Sequence, residues 1–120
     1  MRDFRDIKIW DKAHKLVVEI YKISALFPKN EQYGLTSQIR RAAVSIPSNI
    51  AEGSGRGSKK ELKQFMIVSS SSASEVEYQI LLALDLGYIS KLIYEKLNEN
   101  IVEIKKMLNS YINKIERTNI

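Results

Sequence analysis

The stretch SKKELKQFMIVSSSSASEVEYQILLALDLG, Ser58 to Gly87, decides the fold. Leu62, Phe65, Met66, Ser69, Ala73, Val76, Ile80, Ala83 and Leu84 recur at steps of three and four, the repeat of one helix face. Ser58-Lys-Lys-Glu61 in front of it reads as a capping box. The hydroxyl takes the amide of Glu61, and the Glu61 carboxylate returns to the amide of Ser58. Gly87 ends the pattern. At about 1.5 Å rise per residue this helix is roughly 40 Å long, and only partners of similar length cover such a stripe.

Outward from this stretch the same periodicity appears three more times. Leu35, Ile39, Ala42, Ala43, Ile46 and Ile50 form a stripe that starts between Asn30 and Thr36, and the run Gly53-Ser-Gly-Arg-Gly57 ends it through the left-handed conformation open to glycine. Trp10, Ala13, Val17, Ile20, Ser24 and Phe27 mark a first helix, with Asp6 as its N-cap and Pro28 as its stop. Ile93, Leu97, Ile101, Ile104, Leu108, Ile112 and Ile115 mark a fourth, capped by Ser90. The expectation is an all-α, antiparallel up-down four-helix bundle. It forms one domain over residues 1–120, with helices at about 7–27, 35–52, 59–86 and 91–116. Leu16 and Ile23, with Val102 and Met107, lie off these stripes. They form either a subunit interface or scattered surface apolar residues.

Composition narrows the function. There is no Cys, which excludes disulfides and thiolate metal sites and fits a reducing cytoplasm. His14 is the sole histidine and no Glu-x-x-His pair occurs, so neither a di-iron bundle nor a His-rich metal site is expected, and no cofactor. His14 reads as a surface residue. The start, MRDFRDIKIW, has no apolar core of a signal peptide, and the run Ile80 to Leu84 is far short of a membrane span of about 20 residues. No nucleophile, acid and base come together in the sequence, and no enzyme is expected.

The net charge is +5, and its distribution says more than its size. Residues 32–74 carry six basic and two acidic side chains, residues 1–31 seven and five, and residues 75–120 six and seven. The six are Arg40, Arg41, Arg56, Lys59, Lys60 and Lys63, on the second helix, the loop after it and the first turns of the third. Long cations clustered this way suit phosphate contacts. The other reading is a solvated surface, or pairing of Arg40 or Arg41 with Glu75 or Glu77. The glycines before Lys59 are not a Walker motif, because that motif's second Gly position is Ser58 and no strand precedes the loop.

Two polar features need an explanation. Pro47 sits inside the second stripe, where it leaves the Ala43 carbonyl without its amide and predicts a kink. Ser45, Ser48 and Asn49 stand nearby to satisfy freed backbone groups, or to form an exposed recognition site. The run Ser69 to Ser72 with Ser74 lies in mid-helix, which favours close helix packing over phosphorylation. The tyrosines are dispersed and make no stacking platform in the sequence.

Taken together, Gln38-Ile-Arg-Arg-Ala-Ala-Val-Ser-Ile-Pro-Ser-Asn-Ile-Ala-Glu-Gly53 resembles the signature of the bacterial 23S rRNA-intervening-sequence proteins, often called four helix bundle proteins. Within it Ser45, Pro47, Asn49, Glu52 and Gly53 form the structural motif. The likeness continues through Arg56, Ser58, Glu61, Phe65, Glu75, Glu77, Leu81, Ala83 and Leu86-Gly-Tyr88. Trp10 and Leu16 stand where the family places its first helix. The resemblance implies a cytoplasmic bundle assembled as a ring-like homopentamer, with no established enzymatic activity, encoded within insertions in large-subunit rRNA genes and elsewhere. That family is similar to the accessory variability protein of diversity-generating retroelements, a basic pentamer that binds nucleic acid and a reverse transcriptase. One departure is Ser69-Ser-Ser-Ser72, where the family commonly has an Ala-Arg-Gly-Ser-like stretch, so Ser70 leaves one cation fewer.

The expectation is thus a homo-oligomer that binds RNA or DNA through repeated basic patches and has no membrane partner. The alternative is a scaffold that docks another protein, such as a reverse transcriptase, without nucleic acid.

Overall fold

A computed structural model describes residues 3–117. Four helices account for most of them: α1 Lys8–Ser24, α2 Leu35–Ser54, α3 Lys59–Asp85 and α4 Lys91–Arg117. Short 3-10 turns occupy Phe4–Asp6 and Lys29–Glu31, and no strand occurs among the described residues. α1 packs against α2 and α4, and α3 packs against the same two helices. Facing residues rise in number on one helix as they fall on the next. Ser45 meets Ser72, Ile46 meets Ser69 and Gly53 faces Phe65, so α2 and α3 are antiparallel. Glu77 with Lys105 and Lys63 with Glu116 say the same of α3 and α4. The bundle measures 48 × 23 × 20 Å, and its long axis matches the two 27-residue helices. No helix among the described residues is long and apolar enough to cross a membrane.

The core is one cluster. Ile20, Ile39, Ile46, Ile50, Met66, Val76, Ile80, Ile101, Ile104 and Leu108 are fully buried within it. Leu16 joins them at 2% exposure, and Ile23, Val102 and Met107 pack against the cluster partly buried. The four residues read as a second apolar strip are therefore core or its rim, because each helix has two neighbours in the bundle and buries a face wider than a single stripe. Exposed apolar side chains lie elsewhere, Ile67, Val68, Tyr78 and Leu81 among them on the outer side of α3.

Helix ends show where local rules held. Ser58 Oγ accepts from the Glu61 amide at 3.1 Å, and Ser90 Oγ from the Ile93 amide at 3.2 Å. Gly87 has φ +77, the left-handed cap of α3, with the Tyr88 amide on the Ala83 carbonyl and the Gly87 amide on the Leu84 carbonyl, both at 2.9 Å.

Other ends differ from the sequence reading. Asp6 belongs to the preceding 3-10 turn, and Ile7 stands at the N-cap of α1 without a side-chain bond. α1 stops at Ser24, not at 27. Bonds of the 3-10 type from Leu26 to Ile23 and from Phe27 to Ser24 tighten the chain ahead of Pro28. The N-cap of α2 is Gly34, which has no side chain to offer, and the cap comes instead from Glu31 one turn earlier. Its Oε1 accepts from the Leu35 amide at 3.0 Å while Oε2 accepts from the Tyr88 hydroxyl at 2.7 Å.

The largest difference concerns Gly53. It is not the left-handed terminus of α2. The helix runs on to Ser54 with Gly55 as C-cap at φ −86, and Gly53 is buried inside it. A Cβ there would lie 2.8 Å from Phe65 Cβ and 3.1 Å from Met66 Cε, so this glycine lets α2 and α3 approach closely. The serines extend the same seam. Ser69 Oγ, fully buried, donates to the Ile46 carbonyl at 2.9 Å, and the hydroxyls of Ser45 and Ser72 share a hydrogen bond at 2.7 Å. Asn49 Nδ2 donates to the Ser45 carbonyl at 2.7 Å and to its Oγ at 3.0 Å. α2 is one continuous helical element through Pro47, which is itself buried. Ser45 and Asn49 thus serve the backbone and the helix pair, not an exposed site.

Two outcomes follow from this packing. Gly53→Ala lowers the free energy of unfolding by about 1 kcal/mol or more in urea denaturation. The clash with Phe65 Cβ outweighs the helix-propensity gain of alanine, and Gly57→Ala, where a Cβ meets nothing within 4 Å, stays within about 0.5 kcal/mol of wild type. The second outcome concerns pH. The Leu35 amide, and after it the Tyr88 hydroxyl, hold the Glu31 carboxyl below its ordinary value against a small opposing effect of burial. A depressed folded-state value contributes stability above the ordinary glutamate range and loses it as pH falls through the folded value. Urea midpoints measured from neutral pH down to about pH 3 therefore fall more steeply for wild type than for Glu31→Gln. Tyr88→Phe keeps part of the slope, since the backbone amide is the larger cause.

Candidate nucleic-acid interface

The six cations do not meet in one place. Arg40 and Arg41 lie in the first half of α2, while Lys59, Lys60 and Lys63 begin α3, beside the far end of α2. Ser54 lies thirteen residues after Arg41 on the helix, roughly 20 Å along the axis. The structure thus makes two basic regions, one at each end of the α2–α3 pair.

In the first region Arg40 is committed to the fold. Its Nε donates to Ser24 Oγ at 2.8 Å and one terminal nitrogen to the Tyr21 carbonyl at 3.1 Å, with the guanidinium 4.5 Å from the centroid of the Tyr21 ring. Tyr21 and Ser24 belong to the last turn of α1, where the Tyr21 carbonyl also takes the Ala25 amide at 3.1 Å, so Arg40 ties the end of α1 to α2 with added side-chain bonds. Neither Glu75 nor Glu77 pairs with it, and Glu77 takes Lys105 at 2.7 Å. Arg41 is exposed and makes no ion pair or side-chain hydrogen bond among the described residues.

The Arg40–Arg41 region borders an open groove of about 610 Å³ lined by Tyr21, Gln32, Tyr33, Thr36, Ser37, Arg40, Arg41, Val44 and Ser45. Tyr33 is 90% exposed. Sequence reasoning missed this grouping, because Tyr33 enters the groove through the turn at Lys29–Glu31 and Tyr21 through the end of α1.

The second region is neutralised in part. Arg56 pairs with Glu52 at 2.9 Å and with Glu61 at 3.9 Å, and lies 5.0 Å from the centroid of the Phe65 ring. Lys63 pairs with Glu116 at 2.6 Å. No bond from the Glu61 carboxylate back to Ser58 occurs among the described residues, so half of the expected capping box is present. Lys59 and Lys60 have no acidic partner among the described residues. Arg41, Lys59 and Lys60 are therefore the members of the predicted cluster left available for an outside anion. His14 is exposed and stacked on Trp10 with ring centroids 5.0 Å apart. No group of three or more His, Cys, Asp or Glu is placed to hold a metal among the described residues.

A family model described as 23S rRNA-intervening sequence protein matches residues 5–110. Among solved structures the chain is similar to a protein with unknown function from the S23 ribosomal protein family of Bacteroides thetaiotaomicron. The TM-score is 0.81 at 27% identity, over 88% of this chain and 95% of that one. No curated protein matches.

The two neighbouring arginines separate cleanly by experiment. Arg40→Ala lowers the free energy of unfolding by about 2 kcal/mol, since it removes charge-assisted bonds to the end of α1 and a ring contact. Arg41→Ala changes it by less than about 0.5 kcal/mol. Thermal or urea unfolding of the two variants provides the comparison.

Proposed function

The chain belongs to the 23S rRNA-intervening sequence protein family, and from that premise we propose that it is a non-enzymatic, homo-oligomeric bundle that binds RNA or DNA through basic surface patches. The supporting observation is the exposed, carboxylate-free state of Arg41 and Lys60, with the partly buried Lys59, in the segment that carries the chain's excess positive charge. Contacts of this kind go to phosphate, with little preference for sequence, and repeat around an oligomer so that each copy adds to the same polyanion field.

The outer face of α3 supports self-association. Ile67, Val68, Tyr78 and Leu81 are each between 38% and 60% exposed, with Ser71 and Ser74 between them on the same side. The likeness over Gln38 to Gly53 favours a ring of five, working in the cytoplasm as the lack of Cys fits.

A second reading, a scaffold that docks a reverse transcriptase or another protein without nucleic acid, draws on the pairing of Arg56 and Lys63 with carboxylates, which takes up two of the four cations at that end.

Filter binding of labelled RNA and DNA against salt tests the first reading. Affinity falls steeply as salt rises, and changing Arg41, Lys59 and Lys60 together to Gln lowers it on the order of tenfold or more at about 0.1 M salt. Unchanged binding by that variant, or no binding by wild type at low salt, rejects it in favour of the scaffold. Light scattering tests assembly. Wild type runs as an oligomer, and Ile67→Glu with Leu81→Glu runs as a monomer of native helicity.

A further inference from the structure

We propose that the groove between the end of α1 and the start of α2 holds an unpaired nucleotide of single-stranded RNA or DNA, its base against Tyr33 and its phosphate on Arg41. This rests on the nucleic-acid reading above and gives it a site and a strand form.

Electrostatics selects this groove over the Gly/Ser loop. No carboxylate lines it. Among the described residues Arg41 has no ion pair, and Arg40, though fixed by hydrogen bonds, is bonded to a hydroxyl and a carbonyl and to no carboxylate, so its charge is uncompensated. Two full positive charges therefore face one hollow. At the loop, by contrast, Arg56 sits between two carboxylates. Glu75 shares a neighbouring hollow with Arg41 but makes no ion pair with it.

Tyr33 supplies the second element. It is 90% exposed and forms no ring contact among the described residues. It stands beside Gln32, an amide that can hydrogen-bond a base edge, and Ser37, a hydroxyl donor for phosphate. A polar, cationic hollow beside a bare aromatic face suits a base and its phosphate together. The volume, about 610 Å³, falls within the size of ordinary ligand sites.

The strand form follows from the ring. Stacking requires the face of a base, and a duplex hides its faces between neighbouring pairs. Phosphate contacts through Arg41, Lys59 and Lys60 alone do not discriminate single strands from duplexes, so Tyr33 is the residue that would.

The test is fluorescence anisotropy at low salt with a labelled 20-nucleotide RNA, the same sequence as DNA, and the duplex of each. Wild type binds the single strands more tightly than either duplex. Tyr33→Ala weakens single-strand binding on the order of tenfold and leaves duplex binding unchanged. Tyr33→Phe restores it, and Arg41→Gln weakens both forms. The Tyr33 side chain makes no hydrogen bond or ring contact among the described residues, so its variants keep native helicity and stability. If Tyr33→Ala binds single strands as wild type does while the Arg41, Lys59 and Lys60 variant is impaired, the groove site is wrong and the patch reading stands. If wild type binds none of the four nucleic acids, both are rejected. Comparing the RNA and DNA strands identifies which the groove takes.

Discussion

The close approach of α2 to α3 is the constraint on which the molecule depends. Gly53 brings the helices together at one end, and the Ser69 hydroxyl on the Ile46 carbonyl and the Ser45–Ser72 bond hold them farther along. Each device is short. A glycine has no side chain, and a serine reaches a neighbouring backbone only when that backbone is near. The seam also explains how a proline and four consecutive serines, poor helix formers, sit inside two long helices. Tertiary packing outweighs local propensity where the side chains are small enough to interlock.

The periodic helices were legible from sequence because their stripes are long and their stops are chemical. Ser58, Ser90 and Gly87 act where local rules place them. What escaped was set by contacts far along the chain. Glu31 caps α2 and is held by Tyr88, a residue more than fifty positions later. Gly53 looked like a terminus because glycine commonly is one, while its role depends on Phe65 across the interface. In the sequence Leu16 fits either a subunit interface or scattered surface, because a single helical stripe underestimates the face buried between two neighbours.

The same distinction runs through the basic residues. Counting charge along the chain treated six cations as equals. The fold divides them by their partners. Arg56 and Lys63 meet carboxylates, Arg40 meets the last turn of α1, and Arg41, Lys59 and Lys60 meet no carboxylate among the described residues. Only the Arg56–Glu52 pair, four residues apart, appears in the spacing, since Ser24, Tyr21 and Glu116 come from other helices.

Arg40 has a consequence for reading this molecule's history. It closes the end of α1 and also forms one wall of the groove, so a chain drifting in sequence loses both when it loses Arg40. Selection for folding alone is enough to retain it. Its persistence among relatives would carry no information about a ligand. Tyr33 and Arg41 are free of that obligation. Those two positions, unlike their neighbour, would record an ancestral use of the groove, and their joint loss in a lineage would mark where that use was abandoned.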